Sequence, residues 1–135
     1  MGNKEKSPES VQQMNDRELI EWLGIPQNSL QPELYIHRLP TGIEYISPPV
    51  ALNCLDYAQG STGLHTLHIP DLIPAPLAQG NMIVYFQDSD EMHAGIVIEG
   101  GVRVISQWGS GAIFKHGIFQ IPRGYGNRYQ CFLSR

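Results

Sequence analysis

Residues 1–14 are polar and show no hydrophobic period, and a stretch of this composition buries too little apolar area to order itself, so a flexible tail is predicted there. At Asn15 the pattern changes. Asn15 is a helix cap by type, Glu18 stands at the reciprocal capping position, and Leu19, Ile20, Trp22 and Leu23 supply an apolar face before Gly24 ends the helix. Prolines and turn residues then break up residues 26–49, leaving two strand-like pieces, 33–37 and 43–46, expected to wrap the surface of a core. Pro48-Pro49 suits the start of a helix, which is predicted over residues 50–59 and closed by Gly60. Residues 61–80 hold three prolines and no period, which predicts a long loop able to form a lid or one wall of a cleft.

After that loop the period falls to two. Strands are predicted at 82–86, 93–98, 102–107, around 114–121, and at 129–133. Gly100-Gly101 between two β-branched runs is the strongest local signal, because a two-residue primed turn needs positive φ at both positions. The 93–107 hairpin follows from it. Short strands joined by tight turns make an antiparallel sheet, so the pattern predicts one α+β domain over residues 15–135. Its central sheet of about five strands packs against the 50–59 helix.

Length agrees with a single domain: 135 residues with 41% hydrophobic side chains build one core. Charged residues make up 16% of the chain and the net charge is -4, which leaves no basic surface for neutralising phosphates and argues against nucleic acid as a partner. The acidic run Asp88 to Glu91 reads as a solvated loop. No apolar run follows the polar N-terminus, so neither a secretion signal nor a membrane span is predicted, and a cytoplasmic location is expected. Gly2 does not complete a myristoylation signal, because Lys6 stands where Ser or Thr is needed. With no export signal, the two cysteines, Cys54 and Cys131, are expected to be reduced thiols.

The candidate chemistry centres on Cys54. A thiol attacks as the thiolate, and the unpaired amides of a helix start lower its pKa, which makes a cysteine in the first half of the 50–59 helix a candidate nucleophile. His93, at the head of a strand, can hold the proton. The alternative is a small buried hydrophobe on the inner face of its helix. Cys131, which shares strand parity with Tyr129 and Leu133, reads as a buried structural thiol, and Trp22 and Trp108 as core or cleft-wall residues.

The words Asn53-Cys54-Leu-Asp-Tyr-Ala58, His93-Ala-Gly-Ile-Val-Ile98 with its Gly-Gly turn, and Ile105-Ser-Gln-Trp108 resemble the NlpC-like papain-fold peptidases and amidases and the related CHAP amidases over residues 50–121. The resemblance implies a papain-like (NlpC-type) fold. It also implies a cysteine that opens a helix, a histidine that starts a strand, and a polar residue on the adjoining strand that orients the imidazole. The chain departs from the family word Asp-Cys-Ser-Gly in carrying Leu55-Asp56 after the cysteine, and Cys54 and His93 stand only 39 positions apart. An acyltransferase branch shares Asn-Cys but places its histidine upstream, where His37 is the candidate here.

The third residue stays open between three. If Gly100-Gly101 is a two-residue turn, Gly95 lies opposite Ser106, which puts Ser106 on the face of His93. The resemblance to a CHAP word instead puts the orienter at Gln107, with a bulge turning it to that face, and Gln107 is preferred. His116 on the next strand is the third candidate. The backbone N–H of Cys54 is expected to serve as one oxyanion donor. His65 and His68 are spaced like metal ligands but sit in a proline-bounded loop, so neither metal nor cofactor is expected. The resulting expectation is a cysteine hydrolase acting on an amide bond in a peptide or other amide-containing substrate. A non-catalytic binding domain of the same fold and a thiol acyltransferase are the alternatives.

Overall fold

The computed structural model describes residues 8–59 and 72–133. Among the described residues, four α-helices precede or interrupt a sheet: α1 (Pro8–Gln13), α2 (Asp16–Leu23), α3 (Pro26–Ser29) and α4 (Cys54–Gln59). The strands are β1 (Glu44–Ser47), β2 (Pro74–Ala75), β3 (Met82–Gln87), β4 (Asp90–Ile98), β5 (Arg103–Gln107), β6 (Ile113–Gly117) and β7 (Arg128–Phe132). They form a single antiparallel sheet in the order β1-β6-β5-β4-β3-β7-β2, so the protein is α+β. No described helix is long and apolar enough to cross a membrane.

Two differences from the sequence reading concern which pieces join this core. The sheet has seven strands rather than about five: β1, read as a surface piece, pairs with β6, and the two residues of β2, read as loop, pair with β7. Both are edge strands, where few residues and proline are tolerated and the sequence signal is correspondingly faint. Of the predicted flexible tail, residues 1–7 lie outside the described residues, whereas Pro8–Gln13 form a helix, with Val11 fully buried and Met14 nearly so. Sparse apolar positions carry no period, yet burying a Val or Met contributes about 1.5–3 kcal/mol once the core offers a place for it.

Elsewhere local chemistry and structure agree. The α2 capping box forms as predicted, the Glu18 amide donating to Asn15 Oδ1 and the Asn15 amide to Glu18 Oε1, each at 2.8 Å. Gly100 and Gly101 both take positive φ, 71° and 95°, and Ile98 pairs with Arg103, Val97 with Val104 and Ile96 with Ile105. That register places Gly95 opposite Ser106, one step beyond the last pair.

Alternation gives the sheet two faces. One face, with Ile83, Tyr85, Val97, Val104 and Phe114, packs against Leu19, Ile20 and Leu23 of α2 together with Trp108 and Tyr35. The other, with Met82, Val84, Phe86, Ala94 and Phe132, packs against Ala58 and Leu55 of α4. Gly95 is required where β4 meets β5. A Cβ there would lie 2.7 Å from Val104 Cγ1, 2.9 Å from the Ile105 carbonyl oxygen and 2.9 Å from Ser106 Cβ. Because one of these atoms is backbone, Gly95→Ala is expected to force the strands apart. Urea unfolding should show a loss of roughly 1–3 kcal/mol despite the entropy that alanine removes from the unfolded chain. An unchanged midpoint would mean the strands absorb a methyl group freely.

Candidate active site

The helix that carries the thiol starts later than its sequence suggests. Residues 50–53 are irregular and α4 begins at Cys54, with Asn53 as its cap: the Asp56 amide donates to Asn53 Oδ1 at 2.9 Å. Cys54 is therefore the first helical residue, 9% exposed and not disulfide-bonded. The amides of Ala94, Cys54 and Leu55 point at its sulfur and favour the thiolate, but burial outweighs them and pushes the thiol pKa up. The expected lowering by the helix start is thus reversed. Six residues give only a fragment of a macrodipole, whereas desolvation acts on the whole ionised form.

His93 leaves β4 on the opposite face, where it pairs with Tyr85 and is 1% exposed. The Tyr125 ring lies against its imidazole at 4.4 Å between centroids, and the Tyr125 hydroxyl donates to the Gly24 carbonyl at 3.1 Å. The Cys54 thiol lies near enough to Tyr125 to oppose ionisation of its phenol, so sulfur and imidazole share this neighbour. They also share one stretch of β4, since the amide that points at the sulfur belongs to Ala94, the residue after His93. Among the described residues no hydrogen bond joins the Cys54 sulfur to the His93 ring.

Three sequence candidates, His93, Ser106 and His116, do come together. Ser106 Oγ stands 3.0 Å from His93 Nε2 and 2.7 Å from His116 Nε2, and it accepts from Trp108 Nε1 at 3.1 Å. Counting protons settles the direction of each bond. His116 Nδ1 lies 2.7 Å from the Gly117 carbonyl, which can only accept, so that nitrogen carries a hydrogen. Burial lowers the His116 pKa to about 4, so the ring is neutral at pH 7 and its Nε2 is bare. Ser106 must then donate to His116 Nε2. A hydroxyl has one hydrogen and two lone pairs; Trp108 fills one lone pair and His93 Nε2–H fills the other. His93 is consequently the Nε2–H tautomer, and its Nδ1 is the nitrogen left with a free lone pair. Burial, reinforced by His116, holds the His93 pKa well below its ordinary value, so that lone pair stays available at neutral pH.

Gln107, the preferred orienter, does not contact His93. It pairs with Ile113 on the α4 face, and its side chain serves the segment ahead of Cys54. The parity of the Gly-Gly hairpin was the better guide, because no bulge intervenes in β5. Cys131 is buried in the core as expected, and Trp108 is fully buried. Tyr125, read as turn chemistry, stacks on His93 and lies near Cys54; a lone aromatic beside two glycines gives no signal of this. His65, His68 and most of the predicted loop lie outside the described residues.

Comparisons with models of protein families, with curated proteins and with solved structures return no match.

Proposed function

We propose that the protein is a cysteine hydrolase that cleaves an amide bond in a peptide-like substrate, a divergent papain-like enzyme of the NlpC kind. The observation that carries this reading is the hydrogen-bond count that leaves His93 Nδ1 bare, while the amide of the next residue, Ala94, points at the Cys54 sulfur. A base held in one tautomer by a third group, on the same strand as the amide that points at a thiol at a helix start, supports the pairing that nucleophilic catalysis uses. The bond cut, by the same resemblance, is a γ-linked, isopeptide or peptidoglycan stem-peptide amide.

With both groups neutral at rest, the chemistry runs by general-base attack rather than from a preformed ion pair. The thiol proton passes to His93 Nδ1 as sulfur bonds to the carbonyl carbon. The imidazolium then gives that proton to the leaving amine as the C–N bond breaks. Water, deprotonated by His93, hydrolyses the thioester to carboxylate and free thiol. In unliganded enzymes the nucleophile–base hydrogen bond is often long and tightens on substrate binding, which is how the missing Cys54–His93 bond is accommodated. The same missing bond favours a second reading, a binding domain of this fold without turnover.

Alkylation by iodoacetamide, followed by mass spectrometry with Cys131 as the internal reference, separates the two readings. Cys54 reactivity is expected to rise toward alkaline pH, in keeping with its raised pKa, and to fall about tenfold in His93→Ala. Hydrolysis of an amide panel is expected to fall roughly a hundredfold or more in the same variant. If Cys54 reacts equally fast with and without His93, the hydrolase reading fails and the binding domain replaces it.

A further inference from the structure

Gln107 is fully buried and spends its entire hydrogen-bonding capacity on two short loops. Its Oε1 accepts from the amides of Val50 and Ala51, both at 3.0 Å, and its Nε2 donates to the carbonyls of Ala51 at 2.8 Å and Gly109 at 2.9 Å. Three of these four bonds hold the backbone just ahead of Cys54, with only Leu52 and Asn53 intervening. This capture explains why residues 50–53 stay out of the helix: amides bonded to a side chain across the molecule, in an irregular lead, are not placed to extend α4. A six-residue helix cannot fix its own position, because nucleation costs more than one turn of hydrogen bonds returns. Its place depends on what grips its ends, and Gln107 grips the end that bears the thiol.

The residue before Gln107 on β5 is Ser106, which points to the other face and bonds His93. One dipeptide thus reaches through the sheet to the nucleophile's segment on one side and to the base on the other. We propose that Gln107 is a positioning residue for catalysis, setting where the Cys54 thiol stands relative to His93. The proposal rests on the reading of Cys54 and His93 as a reacting pair. It predicts that loss of the clamp uncouples the two groups while leaving fold and Cys131 unchanged.

A double-mutant comparison tests it, with Cys54 alkylation as readout and Cys131 alkylation and near-UV circular dichroism as structural references. His93→Ala is introduced into the parent and into Gln107→Met, which keeps side-chain volume but makes none of the four bonds. The expected result is a roughly tenfold effect of His93→Ala in the parent that shrinks to less than about twofold in Gln107→Met. Gln107→Leu, of similar volume and likewise without donor or acceptor, is expected to behave alike and decides the matter should the Met variant not fold. Amide exchange at Val50 and Ala51 should rise in both. A tenfold His93 effect that persists while those amides exchange freely overturns the proposal. No His93 effect in the parent is a different failure: it removes the reacting-pair reading itself, and the role of Gln107 falls with it.

Discussion

Replacing Ser106 by alanine is expected to destabilise the protein by about 3–5 kcal/mol, a large effect for the loss of one oxygen atom. Ser106 is fully buried, and its hydroxyl satisfies three groups together: His93 Nε2, His116 Nε2 and Trp108 Nε1. Each partner left bare in the interior costs roughly 1–3 kcal/mol, and no solvent reaches them to compensate. Thermal unfolding should fall by on the order of 10 °C for a domain of this length. The variant also separates orientation from stability. Without the hydroxyl nothing assigns the hydrogen of His93 to Nε2, so nitrogen NMR of the imidazole should change from a single Nε2–H tautomer to a mixture. A variant that loses less than about 1 kcal/mol and keeps the parent tautomer would show that Ser106 is not the hub of this cluster.

Acid should unfold the protein through the same two histidines. Both are buried and neutral, and both have pKa values lowered from 6.5, His116 to about 4. The unfolded chain therefore takes up protons that the native state refuses. The sign follows from linkage: the stability is fully present above pH 6.5, and it drains away as pH falls from there through the folded-state values. Each histidine costs up to about 1.4 kcal/mol per pH unit in that window, and for His116, lowered to about 4, this removes roughly 2 kcal/mol at pH 5 relative to pH 7. Urea unfolding at pH 7, 6 and 5 checks this above the range where most carboxylates titrate. The slope should become clearly shallower in His116→Gln, which cannot take up the proton. A free energy of unfolding that stays level from pH 7 to 5 would contradict the buried neutral pair.

Much of the candidate site was legible along the chain, and the reason is local. Gly100 and Gly101 demand a tight turn because their φ values are positive, and a tight turn sets the register of everything on either side of it. From that register alone Ser106 falls on the face of His93. The capping box at Asn15 and Glu18 was equally readable, since both partners lie within one helical turn. Gln107 was not. Its partners Val50 and Ala51 are 57 and 56 positions away, and nothing in the 103–107 strand indicates that they arrive there. The start of α4 was misplaced for the same reason, as was the ordering of Val11 and Met14, which depends on a core that only the assembled sheet provides.

The turns, the caps and the period-two strands, and thereby the α+β class, follow from the sequence alone, because each depends on the stereochemistry of a few neighbouring residues. The sequence also nominated Cys54, His93, Ser106 and His116 as chemistry-bearing side chains. Tertiary structure decided which of these meet, which proton each nitrogen carries, and the sign of the Cys54 shift. Those outcomes depend on burial and on partners brought from distant parts of the chain: desolvation overrides the helix-start amides at Cys54, and a single buried hydroxyl dictates the tautomer of His93.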